Sequence, residues 1–134
     1  MSRGETLLIR YDEINKEFSY EIFSFQSSFK KYNNYAYACW NHRQIFIFGG
    51  YDNNMKKPVD RIWMLDIKEK EKIWKECEFK MPFAIRGAVA VVSESDSSIH
   101  VIGGDNDKGE NLSTHYIMKL VKEYMVFIIH SFTN

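Results

Sequence analysis

Proline is nearly absent, at two residues in 134, and cysteine is as scarce. Cys39 and Cys77 lie 38 positions apart, which makes neither a disulfide framework nor a metal-ligand spacing. Charge of one sign is missing as well, because 18 Lys and Arg balance 18 Asp and Glu. With no net field, nothing draws the chain to nucleic acid or to an anionic membrane surface. Long apolar runs are absent too. The longest, residues 125–129, has five residues where a spanning helix needs about 20. Residues 1–10 hold only three consecutive apolar residues, too few for the apolar region of a secretory signal. The expected compartment is the cytosol, with both thiols reduced.

What is present is a globular composition. Hydrophobic residues make up 45% and charged residues 27%, enough for one domain with a modest core and too apolar for disorder. The apolar residues fall in short runs, at 7–9, 35–39, 45–48, 62–65, 87–92, 99–102 and 115–118, divided by polar turns. That is a strand signature. Several runs are apolar on both faces, so their sheets should be covered on both sides. Only residues 119–130 are open to a helical reading, and they fit a strand equally. The expected class is all-β.

The runs repeat. Ile45-Phe-Ile-Phe-Gly49-Gly50 and Ile99-His-Val-Ile-Gly103-Gly104 are one element, a buried strand ending in two glycines, 54 positions apart. An Ala-rich strand precedes each, and a polar loop and a further strand follow. Tyr11-Asp12 matches Leu65-Asp66, and each pair leads through a charged turn to a large aromatic, Phe18 or Trp74. Each repeat thus orders four strands in about 50 residues, the size of one propeller blade.

With Met81-Pro82 and Arg86 between the copies, this pattern resembles the kelch repeat over residues 7–118. The resemblance implies four-stranded antiparallel blades of a kelch-type β-propeller, with an incomplete, open ring. Residues 1–34 would hold the last two strands of a partial blade and a connector. Residues 35–80 would form a complete blade and 81–120 a second, degenerate or incomplete one, leaving 121–134 as an unassigned hydrophobic tail. Leu65 departs from the pattern by standing where the kelch aromatic is expected, as does residue 25–34, which lacks the Pro and Arg found at Pro82 and Arg86.

On this reading Gly49, Gly50, Gly103 and Gly104 are architecture, since no Lys or helix follows them as phosphate cradling would require. Phe18 and Trp74 should pack between adjacent blades. Asp12 and Asp66 should accept backbone N–H bonds in their turns. Asp105-x-Asp107-x-Gly109 resembles a calcium loop, but glycine comes fifth instead of sixth and Tyr116 stands at position twelve. The histidines at 42, 100, 115 and 130 lack the i, i+4 helical spacing of a zinc site, and His100 reads as a core or edge histidine. No Gly-x-Ser-x-Gly elbow occurs and neither cysteine has a base beside it. The sequence therefore assigns no catalytic, cofactor-binding or metal residue.

The expected function is a non-catalytic scaffold that binds proteins through its loops, with Tyr51, Asp52, Asn53 and Asn54 and with Asp105, Asn106, Asp107 and Lys108 as candidate contacts. The alternative is a truncated fragment of a longer kelch protein with no activity of its own. A fragment of a kelch-type oxidase, in which Tyr, His and modified Cys would hold copper, is a weaker rival because no motif gathers those residues. About two and a half blades leave edges open. The N-terminal strands of one copy could complete the C-terminal blade of the next, so that a dimer or trimer gives a ring of about four or six blades. Other kelch blades or an unidentified protein are the remaining partners.

Overall fold

The computed structural model describes residues 4–25, 32–121 and 124–131, with side chains over 7–22 and 33–119. Among the described residues every helix is lacking, and the chain is all-β. An N-terminal hairpin pairs β1 (Gly4–Asp12) with β2 (Glu17–Phe25). The first large sheet is an antiparallel meander of β4 (Ala36–Trp40), β5 (Gln44–Phe48), β8 (Ile62–Asp66) and β9 (Lys75–Glu76). Between its members, β3 (Tyr32–Asn33), β6 (Tyr51–Asp52) and β7 (Lys57–Pro58) make a small sheet of their own at one end. The second large sheet runs in the same order, β10 (Val89–Ser93), β11 (Ser98–Ile102), β12 (Thr114–Val121) and β13 (Tyr124–Ser131).

Local chemistry explains the turns. Three hairpins use a four-residue loop that closes on a left-handed residue, at Lys16, Lys56 and Ser97, each with φ 54°. The β4–β5 turn is tighter. Arg43 donates its N–H to the Trp40 carbonyl at 3.0 Å, with Asn41 and His42 both at positive φ, the conformation that matches strand twist.

The two large sheets are equivalent strand by strand. Phe48 pairs with Ala36 on one side and Ile62 on the other, while Ile102 pairs with Val89 and His115. Gly49 donates to the Arg61 carbonyl and Gly103 to the Thr114 carbonyl, both at 2.9 Å. The Gly50 and Gly104 carbonyls accept from Val59 and Leu112 at 2.9 and 2.7 Å. Asn34 and Gly87, two residues ahead of the first strand of each sheet, both hold positive φ.

The core lies between these sheets. Ala36, Ala38, Phe46, Phe48 and Ile62 form the forward face of the first sheet. They meet Ile99, Val101, Tyr116 and Met118 on the rear face of the second, with Met81 and Ile85 of the connecting segment closing the cluster. The rear face of the first sheet holds a second cluster, Ile47, Val59, Trp63, Leu65 and Trp74. Among the described residues the forward face of the second sheet has no such cover: Val89 is 61% exposed where its counterpart Ala36 is 3% exposed.

Three expectations change. Residues 119–121 and 124–130 are strand, and residues 124–131 supply the outer strand of the second sheet; consecutive Val126, Phe127, Ile128 and Ile129 are β-branched or aromatic types that favour a pleat. The second sheet therefore has four strands, as the first does, and an N-terminal hairpin from another copy finds no missing strand to replace. Phe18 is not packed between sheets. It is 62% exposed and lies against Tyr11, with ring centroids 4.7 Å apart.

Candidate interaction rim

The diglycines bring two loops to the same end of the two sheets. After Gly50 the chain enters β6, and Asp52 turns it: wholly buried, its Oδ1 accepts from the Asn54 N–H at 2.8 Å and the Met55 N–H at 3.1 Å. After Gly104 the corresponding device is Asn106, whose Oδ1 accepts from the Lys108 and Glu110 N–H groups, each at 3.0 Å. Such side-chain-to-backbone bonds replace a ladder that a loop cannot make. Both loops are thereby stiffened from within.

Arg86 ties the loops together. Its backbone exchanges two hydrogen bonds with Asp105, at 3.0 and 2.8 Å, and its guanidinium lies 5.0 Å from the centre of the Tyr51 ring. The glycines permit this closeness. A Cβ on Gly104 would stand 2.7 Å from the Arg86 carbonyl oxygen, and one on Gly49 would stand 2.5 Å from that of Ile85. Asn53, Asn54, Asp107 and Lys108 are exposed at the tips, while Asp105 and Asn106 are half-buried. Beside them is an open groove of about 250 Å³ lined by residues of the first loop, including Lys57 and Arg61, and by Lys80 and Asp107.

The remaining signature residues lie elsewhere. Pro82 is exposed, and Trp74 packs on the rear face of the first sheet. Asp12 and Asp66 each accept turn N–H groups: Asp12 Oδ1 from Ile14 and Asn15, Asp66 Oδ1 from Lys68. Arg43 also grips Asp66, with Nε 3.0 and 2.8 Å from the two carboxylate oxygens. That guanidinium, more than any other group, holds the Asp66 carboxyl below its usual range. Tyr11 is half-open on the hairpin.

Sequence reasoning missed one constellation. Ser98 donates to Asp96 at 2.6 Å, His100 Nε2 lies 3.0 Å from Ser98 Oγ, and His100 Nδ1 lies 2.7 Å from His115 Nε2. His100 and His115 are 15 residues apart and meet only because β11 and β12 pair in this register. The signal available was that His100, His115 and His130 recur at equal intervals, a spacing of hairpin strands and not of helix turns. Among the described residues no group of three His, Cys, Asp or Glu side chains is placed to hold a metal ion. Ser98 is wholly buried and presents no open face to a substrate.

No protein-family model matches the chain, and no curated protein matches it.

Proposed function

We propose that the chain is a non-catalytic, kelch-type interaction module whose two large sheets are successive propeller blades. Its first partner is a second copy of itself, and its loop rim is the platform for a further protein. The observation that carries this reading is the stacking of one sheet's forward face on the next sheet's rear face, with one face of each kind left open at the ends.

The open forward face belongs to the second sheet: Val89, Val91 and Ile102 stand where the first sheet has buried Ala36, Ala38 and Phe48. The open rear face belongs to the hairpin. Register aligns Leu7 with Ile22, Ile9 with Tyr20 and Tyr11 with Phe18 on one face, and all six are more than half exposed. Asp12 matches Asp66 in its turn, so Ile9 and Tyr11 hold the places of Trp63 and Leu65, which face rearward in the first sheet. The hairpin's other face carries Arg10 and Glu21, and Glu21 pairs with Lys72 of the first sheet's last loop at 2.8 Å.

Open faces of complementary kind favour head-to-tail contact, a heterologous interface that closes into a ring when the rotation allows. Faces pack on faces in this scheme; no strand is exchanged. The test is solution mass by light scattering over a hundredfold range of concentration. Mass rising to a discrete small multiple supports the reading. A single-copy mass throughout removes self-association and leaves a different chain as the occupant.

A further inference from the structure

The protons in the His100–His115 contact can be placed. Ser98 is wholly buried and donates its hydroxyl hydrogen to Asp96, 2.6 Å away. Ser98 Oγ therefore accepts from His100 Nε2 at 3.0 Å. With its hydrogen on Nε2, the neutral His100 ring offers Nδ1 as an acceptor, and His115 Nε2 donates to it at 2.7 Å. A proton added to His115 leaves this chain of bonds intact and puts one positive charge on the pair. A second, on His100 Nδ1, would set two hydrogens and two cations face to face across the same 2.7 Å. The pair titrates as a unit, and one charge is what it accepts without breaking.

The repeat shows what such a charge would meet. His100 pairs with Ile117 as Phe46 pairs with Met64, and His115 pairs with Ile102 as Ile62 pairs with Phe48. Phe46 and Ile62 are wholly buried, in the cluster that holds Tyr116 and Met118 of the next sheet. On the hairpin, Ile9 and Tyr11 hold the places of Tyr116 and Met118, and among the described side chains their face carries no charge. Strand alternation puts Asp12, Glu17 and Glu21 on the hairpin's other face. Within the second sheet, Asp96 acts on His100 through Ser98 and favours its charged form, while Lys119, paired in register with Ser98, opposes it. β10 brings the uncharged Val89, Val91 and Ser93 to this face, and β13 pairs residue 130, a histidine, with His115.

We propose that contact between the second sheet's forward face and the hairpin of a second copy is gated by protons: it forms with the His100–His115 pair neutral and parts when the pair takes up a proton. The inference rests on self-association through these faces and names what controls it. Asp96 and Lys119 act on the pair in the single copy and in the assembly alike. What association changes is the water over the rings, exchanged for a face with no described carboxylate to receive the charge. Burying a charge without a partner is costly, so the covered pair sheds its proton. The bonds from Ser98 to His100 and from His100 to His115 keep the rings from swinging that charge out to solvent. Histidine ordinarily charges between about pH 5 and 8, which is the window of response. The sign follows from linkage: association releases about one proton per contact, so acid weakens it by about tenfold per pH unit once the open pair is charged.

The test is solution mass of the whole chain by light scattering from about pH 8 to about pH 5, with far-UV circular dichroism at each pH to verify the fold. Association at the alkaline end that weakens at least about tenfold at the acid end, with the fold intact, is expected. A chain that stays single-copy even at the alkaline end removes self-association, and the gate falls with it. A chain that associates equally at both ends overturns the gate and leaves self-association standing. His100→Phe with His115→Ile, the residues of the first sheet at these places, should associate at the alkaline end and keep that affinity at the acid end. The same loss in acid from the folded double variant would assign the response to other groups and overturn the proposal. So would a folded double variant that never associates, because apolar side chains there favour a covered face. Calorimetric dilution of the wild-type chain in two buffers of different ionisation enthalpy needs no variant: about one proton taken up per contact broken is expected, and none would overturn the gate.

Discussion

Phe46 and His100 hold the same place in two successive sheets, the middle residue of the diglycine strand, and they have opposite surroundings. Phe46 is wholly buried against the next sheet, whereas His100 is half-open on a face over which, among the described residues, no sheet is stacked. Stability should follow that difference. Phe46→Ala should cost about 3–5 kcal/mol, the range for emptying an aromatic core site. His100→Ala should cost about 1 kcal/mol, the scale of one net hydrogen bond, because Asp96 still satisfies Ser98. Urea denaturation of both variants measures it, and equal losses would mean that the two faces are buried alike.

The glycines differ in what they tolerate. Gly49 has φ 62° and a Cβ there would meet both the Ile85 carbonyl and Met81 Cε, at 2.5 and 2.8 Å. Gly109 has φ 73° but open space around it. Gly49→Ala should therefore cost clearly more than Gly109→Ala, which carries only the left-handed penalty of about 1–2 kcal/mol. Thermal melts of the two variants decide this, and a tolerated Gly49→Ala would contradict the close approach of the connecting segment.

The two thiols should react at different rates. Burial, with Glu76 adding to it, pushes Cys77 up to about 11, so little thiolate forms at neutral pH. Cys39 is exposed on β4 and raised by burial alone. Alkylation at pH 8 followed by peptide mass spectrometry should find Cys39 modified well before Cys77. The reverse order would show that the first sheet's outer edge opens.

Acid should loosen the first sheet before it disturbs the core. Arg43 lowers the Asp66 carboxyl in the fold, while the unfolded carboxyl titrates near about 3.9. A depressed carboxylate contributes stability that is complete above that unfolded value and is lost as pH falls through the folded one. Asp66→Asn should thus lower the melting temperature at pH 7, and the difference should shrink steadily as pH falls below about 3.9. A constant difference across that range would remove Arg43–Asp66 as the cause.

The class of fold and the repeat were legible because diglycine strands carry their own signal: apolar runs of four or five, then backbone that only glycine accepts easily. Asp12 and Asp66 were legible as turn acceptors for the same local reason. The tail was not, since residues 125–129 offer length and hydrophobicity but no turn residues to fix their partner; pairing with β12 decides it. Phe18 was misjudged because an aromatic opposite Tyr11 looks the same in sequence whether or not a neighbouring face covers it. His100 and His115 were judged by helical spacing, although strands bring residues together by register. Such pairs become visible only when the partner strand is known.

The proposed self-contact joins the second sheet's forward face to the hairpin's rear face as complementary halves. A charge introduced into each half tests it. Val91→Glu blocks the forward face and Ile9→Glu the rear face, both at positions about half exposed in the single copy. The measurement is solution mass by light scattering for each variant alone and for their equimolar mixture. At concentrations where the wild-type chain associates, Val91→Glu and Ile9→Glu should each keep a single-copy mass in separate solutions, and their mixture should give a two-copy complex, where one intact forward face meets one intact rear face. Unchanged wild-type association in both variants, or a mixture that stays single-copy, would contradict it.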